Sequence, residues 1–192
     1  QQVDWGKLQD SLHKVVGDSV NIRNMQPDVV EVRPRELECD VVRFQNNKEK
    51  WVALVGLLNG HPYEIFTGLQ DDEEGIMLPK SVTKGKIVKT VLSEGAKRYD
   101  FQFVNKRGYK ITVEGLSEKF NPEYWNYAKL ISGVLRYRMP IKHVIKLVSQ
   151  LQLTSESINT WKVGVERALK NYLKDDELPV SCSDEQHDGG EQ

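Results

Sequence analysis

The two cysteines, Cys39 and Cys182, carry the side chains with the widest chemical range in this chain. Paired thiols can carry reducing equivalents, and four cysteine or histidine ligands can hold a zinc ion. The two residues lie far apart and neither belongs to a CxxC pair, so we predict neither a disulfide framework nor a zinc ribbon. We expect Cys39, which precedes a strand, to be buried as a small apolar residue. Cys182 lies in an acidic stretch and is the candidate redox thiol, although its acidic neighbours disfavour the thiolate.

The four histidines are the other candidate bases or metal ligands, and they are dispersed as His13, His61, His143 and His187. None forms the helical pair with an intervening carboxylate that a metalloprotease needs, and the sequence has no glycine-rich phosphate-binding motif. We interpret His61 as a polar residue beside a hairpin turn. Since no nucleophile, base and orienting group occur at a catalytic spacing, the sequence predicts no catalytic, cofactor-binding or metal-binding residue.

A basic segment between Lys80 and Lys110 is the strongest local charge asymmetry. It contains nine basic and two acidic residues beside the aromatic residues of expected strands. A basic sheet with interleaved aromatic residues can bind single-stranded nucleic acid through phosphate contacts and stacking. In that interpretation the phosphate-binding candidates are Lys86, Lys89 and Arg98.

The alternation of residues within that segment favours a solvated charged face instead. Tyr99, Phe101 and Phe103 stand at every second position and therefore share one face of a strand. We expect the helices to use this face as core, which leaves the charges on the opposite, solvated face. The acidic loop 71–74 could also neutralise part of the basic surface.

Composition and length place the chain among ordinary globular proteins. Its 192 residues are 39% hydrophobic and 29% charged, and the formal net charge of -1 gives no overall attraction to nucleic acid or membranes. No apolar run reaches the about 18 residues of a membrane span, and the start lacks the features of a signal peptide. We therefore predict a soluble protein of the reducing cytoplasm. The chain begins with Gln1, which indicates either an excised piece of a longer protein or a numbering convention.

Three regions follow from the patterns along the chain. Residues 4–16 place apolar side chains at helical spacing and an extended connector follows, so we assign 1–38 to a short N-terminal helix and a connector. The main domain is assigned to 39–173. The remaining residues, 174–192, are acidic, polar and aperiodic, and we predict a disordered tail.

The first half of the main domain has the pattern of antiparallel strands. Strand-like runs cover 40–45, 51–58, 63–67, 86–92, 98–103 and 109–113. Asn59-Gly60 joins two of these runs and is the strongest short hairpin signal, because both residues tolerate the positive φ of a type I′ turn. We therefore predict an antiparallel meander sheet with one face buried.

The second half of the main domain has the pattern of three amphipathic helices. Asn121-Pro122 provides an N-cap and a favourable first helical residue. Met139-Pro140 separates this helix from a second helix over 141–151, because a proline disfavours the α conformation in the residue before it. Thr154 is the expected cap of the third helix. Strands followed by helices predict the α+β class, with three C-terminal helices covering one face of the sheet.

Several segments of the main domain resemble a known family. They are ECDVVRFQNNKEKWVALVGLLNGHPYEIFTG, RYDFQFVNKRGY, NPEYWNYAKLISGVLRYRMPIKHV and INTWKVGVERALKNYL. These segments resemble the C-terminal accessory region, often described as a TSCPD domain, of adenosylcobalamin-dependent ribonucleotide reductases. PYEIFTG and YWNYAKLISGVLR are the most specific elements of a similarity that runs from 38 to 173.

The resemblance implies a role in deoxyribonucleotide biosynthesis for DNA replication. In that family a thiyl radical, generated with adenosylcobalamin, replaces the ribose 2′-hydroxyl by hydrogen, and the radical chemistry belongs to a large upstream barrel. The resemblance therefore implies a non-catalytic accessory module that docks on the catalytic barrel, in cis or in trans, and holds no cofactor itself. Two features depart from the family: the chain lacks a cysteine-rich CxxC tail and the literal Thr-Ser-Cys-Pro-Asp string.

The residues also leave a second hypothesis open. The chain could be a free-standing binding module that holds a nucleotide or single-stranded nucleic acid on the basic sheet face. Binding would then depend on salt and on the three phosphate-binding candidates, which distinguishes this hypothesis from an accessory role.

Overall fold

The computed structural model describes residues 4, 6–7, 32–46, 48–152 and 154–173. The chain divides into two compact units, Gln1–Val32 and Arg33–Gln192. The greater part of the predicted N-terminal helix over 4–16 and the whole predicted tail over 174–192, with Cys182, lie outside the described residues.

Residues 4, 6 and 7 of the first unit form the start of a helix. Gly6 and Lys7 are helical, and their backbone N–H groups donate to Oδ1 of Asp4 at 3.2 and 3.3 Å. An aspartate that accepts hydrogen bonds from the N–H groups two and three residues later is a typical helix N-cap. Asp4 is therefore the cap of this helical turn.

The second unit contains one antiparallel sheet of six strands in the order β3-β2-β1-β4-β5-β6. The strands are β1 Glu36–Asn46, β2 Glu49–Leu58, β3 His61–Leu69, β4 Lys84–Val91, β5 Lys97–Val104 and β6 Lys110–Val113. Each of β1 to β3 and β4 to β6 is a local meander, but β4 pairs with β1 rather than with β3. The connection from β3 to β4 therefore has to pass across the sheet.

Local signals in the sequence correctly located the turns. Asn59 and Gly60 have φ angles of 52° and 81°, which confirms the predicted hairpin turn with positive φ at both positions. The first three strands are longer than predicted, since β1 already begins at Glu36 and β3 continues to Leu69. The residues added to β1 pair with β4, a contact that no local pattern reveals.

Four helices follow the sheet: α1 Leu116–Lys119, α2 Pro122–Arg136, α3 Ile141–Ser149 and α4 Glu156–Lys170. Oδ1 of Asn121 accepts the backbone N–H of Glu123 at 2.9 Å, which confirms the predicted cap of α2. Because α4 begins at Glu156, the residue directly before it is Ser155, and the predicted cap Thr154 lies one residue too early. The short helix α1 has no counterpart among the predictions, since four residues are too few for a period.

The three long helices cover one face of the sheet, as predicted, and we call it the helix-covered face. It buries Phe44, Trp51, Ala53, Val55 and Ile65 of β1 to β3 against α2, α3 and α4. The central contact is Trp161 of α4, which is fully buried and donates its indole N–H to Oγ1 of Thr67 at 2.7 Å. This core combines large apolar area with few polar groups, which stabilises the domain.

The sheet curls toward its other face. β3 and β5 are separated by three strands, and in a flat sheet four strand spacings amount to roughly 19 Å. Yet the rings of Phe66 in β3 and Tyr99 in β5 lie only 5.4 Å apart between centroids. We therefore call this side the concave face.

The concave face has its own core and corrects one expectation. Phe101 and Phe103 are buried as predicted, but they pack with Ile87, Leu54 and Phe66 on the concave face rather than under the three long helices. Ile76, Leu78 and Val82 of the connection between β3 and β4 cover this core, together with Leu116 and Phe120. Within the described part of the chain, Trp125 is the one residue of the long helices that joins this cluster. The sheet is therefore buried on both faces at β2 and β3, whereas β4 to β6 are buried mainly on the concave face.

Candidate functional site

A cavity of about 390 Å³ opens at the rim of the concave face, between β3, β5 and α2. Three aromatic residues, Phe66, Tyr99 and Trp125, form part of its lining. The others are polar or basic: Lys97, Ser117, Lys129, Ser132 and Arg136. Among the residues that the structure describes, no carboxylate lines the cavity.

Helix α2 positions its share of the cavity through simple periodicity. Trp125, Lys129, Ser132 and Arg136 follow one another at spacings of four, three and four residues, so they share one face of the helix. Ser132 fixes this face against β3, an edge strand. Its hydroxyl accepts the backbone N–H of Ile65 at 3.0 Å and donates to the carbonyl of Ala128 at 2.7 Å. The helix thereby covers backbone groups that an edge strand would otherwise expose.

The three aromatic rings form a contiguous wall. Phe66 and Trp125 stack at 4.9 Å between centroids with an interplanar angle of 25°, and Tyr99 lies 6.2 Å from Trp125. Phe66 is buried in the concave core, whereas Tyr99 and Trp125 remain partly exposed at the cavity. Tyr99 and Trp125 are fixed by their contacts with neighbouring rings and keep accessible surface, so both can stack against a planar ligand.

A buried carboxylate holds two arginines beside this wall. Glu64 is 0% exposed and accepts two hydrogen bonds from Arg33, from Nε at 3.0 Å and from Nη2 at 2.6 Å. Nη2 of Arg136 lies 3.7 Å from the same carboxylate. The Arg33 guanidinium also stands over the ring of Tyr99, at 5.6 Å from its centroid. Glu64 thus orients both guanidinium groups from within the protein.

Positive charge exceeds negative charge around the cavity. The pKa of Lys89 is lowered, first by burial and then by the nearby positive charges of Lys97, Arg33 and Arg136. Lys97 and Lys129 are exposed, and neither forms an ion pair with another described residue. Nε of Arg136 is buried and lacks a hydrogen-bond partner within the described ranges. Five cations therefore converge where the structure shows one carboxylate, Glu64.

The three basic candidates from the sequence do not form a common surface. Lys86 pairs in register with Gln102, whereas Lys89 pairs with Tyr99, so the two lysines point to opposite faces of β4. Lys89 belongs to the concave face beside the cavity, while Lys86 and Arg98 lie on the helix-covered side of β4 and β5.

The two candidates on the helix-covered side are matched by carboxylates. Nζ of Lys86 lies 3.6 Å from Glu36 and 3.9 Å from Glu38. Nε of Arg98 donates to Asp100 at 3.0 Å, and this hydrogen bond is the main reason that the pKa of Arg98 is raised. These contacts leave little unbalanced charge for a phosphate on that face.

The other candidate residues have different outcomes. Cys39 is buried within β1, as predicted, and burial, followed by the charges of Asp40 and Glu64, raises the pKa of its thiol well above the usual range. His61 and His143 are exposed, while His13 and His187 lie outside the described residues. No group of three or more histidine, cysteine or acidic residues is placed to hold a metal ion in the described ranges.

The helices of the described residues were also compared with the length and apolarity that a bilayer requires. None of them is long and apolar enough to cross a membrane.

Comparison with protein families agrees with the resemblance seen in the sequence. The family described as NrdJ homologue C-terminal domain matches residues 37–174. The chain belongs to this family. It therefore carries a C-terminal region related to NrdJ, the adenosylcobalamin-dependent ribonucleotide reductase. No curated protein matches the chain, and no solved structure matches it.

The family match coincides with the folded unit. It starts one residue inside β1 and ends just after α4, so it spans the whole sheet and all three long helices. Each of the cavity-lining residues, from Phe66 to Arg136, falls within the matched range. Arg33, which binds Glu64, precedes it.

Sequence reasoning missed the parts of the cavity that come from distant segments. Lys97 was counted among the basic residues, but Lys129, Arg136, Arg33 and Glu64 were not proposed. One signal was present: Glu64 interrupts a strand that is otherwise apolar or small, and a charge at such a position needs a buried partner. The sequence does not show that Arg33 and Arg136 are the partners of Glu64, because the curl of the sheet brings them together.

Proposed function

We propose that this chain is a non-catalytic accessory module of a ribonucleotide reductase and docks on the catalytic barrel of that enzyme, in cis or in trans. The observation that carries the proposal is the family match, which covers the complete sheet and the three long helices. Adenosylcobalamin would be bound by the catalytic part of the enzyme. The cytoplasm is the compartment that we propose for this assembly.

The state of Cys39 supports an accessory role. A thiol takes part in radical or disulfide chemistry when it is accessible, and as a nucleophile it must be a thiolate. Cys39 is 2% exposed, and its pKa is raised well above the usual range by burial. Its role within β1 is therefore to fill the concave core.

The outer edge of β6 supports the docking part of the proposal. β6 is the last strand of the sheet, and exposed apolar side chains surround it: Val104, Tyr109 and Ile111. An exposed sheet edge with apolar neighbours is suited to pairing with a strand of another chain. α2 covers the opposite edge of the sheet, at β3, through Ser132.

The docking proposal can be tested by mixing the 192-residue chain with the separate catalytic barrel in size-exclusion chromatography. We expect one co-eluting complex, weakened in the variant Tyr109→Lys/Ile111→Lys. Leu130→Lys is the matched control, since Leu130 is about as exposed as Tyr109 but belongs to α2 rather than to the edge at β6, and it should leave the complex intact. If the unsubstituted chain and the barrel elute separately at high micromolar concentration, the proposal is wrong.

The alternative of nucleic-acid binding on the basic sheet face has less support. It needs Lys86 and Arg98 to be available for phosphates, and both already contact carboxylates. Lys89 faces the other way. The geometry therefore favours the accessory role over that alternative.

A further inference from the structure

The cavity between β3, β5 and α2 is lined by aromatic and basic residues that the docking proposal does not explain. It joins an aromatic wall to Lys97 and Lys129, which form no ion pair within the described ranges, and to Arg136, which Glu64 contacts. We propose that this cavity binds a nucleotide, with its base against Tyr99 and Trp125 and its phosphates against Lys97, Lys129 and Arg136. The proposal rests on the cavity itself and does not depend on the docking proposal.

The size of the cavity fits this class of ligand. Pockets for small molecules and cofactors have volumes of roughly 300–1,000 Å³. The cavity, at about 390 Å³, lies at the lower end of that range. It therefore suits a single nucleotide better than a folded partner or a longer strand of nucleic acid.

The cations supply what a phosphate group needs. Lys97 and Lys129 approach from opposite walls, β5 and α2, and their charges are free of ion pairs among described residues. Arg136 adds a guanidinium whose Nε is buried without a partner within those ranges, and Glu64 holds the same side chain from behind. Lysine and arginine donate charge-assisted hydrogen bonds to phosphate oxygens, so these three side chains are suited to hold phosphates.

The aromatic wall distinguishes a nucleotide from a simple anion. A peptide carboxylate, such as one from the acidic residues 174–192 of this chain, could use the lysines but would leave the rings of Tyr99 and Trp125 unused. Stacking of a base on an aromatic side chain contributes about 1–3 kcal/mol per base. The adjacent rings and cations therefore favour a ligand that has both a planar ring and phosphates.

The proposal is tested by isothermal titration calorimetry of the full chain with ATP, ADP, tripolyphosphate and a synthetic peptide of residues 174–192. We expect ATP and ADP to bind, and tripolyphosphate to bind at least about tenfold more weakly than ATP because it has no base to stack. Equal affinity for ATP and tripolyphosphate would reduce the cavity to an anion site and overturn the proposal. Tighter binding of the peptide than of ATP would overturn it in favour of the acidic segment. The absence of measurable heat with millimolar ATP would also overturn it.

Charge-reversal variants locate the site. Lys129→Glu and Lys97→Glu should each weaken ATP binding by about tenfold or more, because each replaces a charge-assisted contact by repulsion. Lys86→Glu is the matched control: it changes the net charge equally on the opposite face and should change the affinity by less than about twofold. An equal loss in the control would indicate unspecific attraction and contradict the proposal.

A ring substitution tests the stacking wall separately. Trp125→Phe keeps an aromatic surface and should retain most of the ATP affinity, whereas Trp125→Leu should lose about tenfold while leaving tripolyphosphate binding unchanged. Circular dichroism and a melting curve of both variants show whether they are folded. If both folded variants bind ATP as the unsubstituted chain does, Trp125 does not contact the base and the assignment is wrong.

Discussion

The two faces of the sheet solve the problem of burial in different ways. The helix-covered face is closed by large apolar residues, and the indole N–H of its central Trp161 is satisfied by a neutral hydrogen bond to Thr67. The concave face buries a charged pair, Arg33 and Glu64, and has a cavity at its rim beside Nε of Arg136, which lacks a partner among the described residues. Burial of apolar side chains with few polar groups, which favours stability, is therefore followed on the helix-covered face and departed from on the concave face. Such departures are typical of functional sites.

The largest effect is expected when one partner of the buried charged pair on the concave face is removed. Arg33→Met should destabilise the domain by about 3–5 kcal/mol, because Glu64 is left as a buried charge without its bidentate partner. The double variant Arg33→Met/Glu64→Met should recover most of that loss. Urea denaturation followed by tryptophan fluorescence measures both. A single variant as stable as the unsubstituted protein would show that the pair does not hold the concave face together.

The second test concerns packing on the helix-covered face. A Cβ added to Gly164 of α4 would lie 2.1 Å from the ring of Phe44, whereas one added to Gly133 of α2 meets nothing within 4 Å. Gly164→Ala should therefore destabilise the domain by about 1–3 kcal/mol through overpacking. Gly133→Ala, the matched control, should stabilise it by about 0.5–1 kcal/mol through helix propensity. Thermal denaturation measures the difference, and equal shifts in the two variants would contradict tight contact between α4 and β1.

The third test uses alkaline pH. The hydroxyl of Tyr172 donates to Oδ2 of Asp40 at 2.6 Å, and burial, followed by this hydrogen bond, raises the pKa of Tyr172 far above its ordinary value of 10.0. Because the folded-state pKa is the higher one, the stabilisation is fully present below about pH 10 and is lost as the pH rises toward the folded-state pKa.

The free energy of unfolding of the unsubstituted chain should therefore fall more steeply above about pH 10 than that of Tyr172→Phe, which lacks this titrating group. Denaturant titrations at a series of alkaline pH values provide the comparison. Parallel pH profiles in the two proteins would show that Tyr172 titrates alike in the folded and unfolded states.

The smallest expected effect concerns the thiol of the concave core. In the variant Cys182→Ser, Cys39 is the one remaining cysteine of the chain. Its thiol should not react with a chromogenic disulfide reagent in the folded protein and should react fully in denaturant, because burial raises its pKa and blocks access. Rapid reaction without denaturant would show that the concave face opens readily.

The sequence predicted those parts of the fold that depend on neighbouring residues. Asn59-Gly60 specified the hairpin, Asn121-Pro122 the start of α2, and Met139-Pro140 the break before α3. Each of these signals depends only on residues that are adjacent in the sequence. The cap of the last helix was placed one residue early at Thr154, since neighbouring hydroxyl residues give nearly equal signals.

The elements that were not predicted depend on contacts between distant segments. Pairing of β4 with β1 puts Phe101 and Phe103 on the concave face, and alternation alone cannot say which face the helices cover. The same uncertainty grouped Lys86 with Lys89 on one surface. Alternation along β4 already separates them, because they are three residues apart, and the register of β4 and β5 adds that Arg98 lies on the side of Lys86. The cavity depends on the curl of the sheet as well, which no periodicity reports.

The position of β1 between two local meanders also has a kinetic consequence. Leu37 pairs with Ile87, 50 residues later, whereas the hairpins on either side close over short turns. Contacts between distant residues carry a larger entropy of loop closure and form late in folding. We expect the pairing of β1 with β4 to form after the rate-limiting step, with both meanders forming before it. Ile87→Val should then accelerate unfolding and leave the folding rate nearly unchanged in stopped-flow measurements.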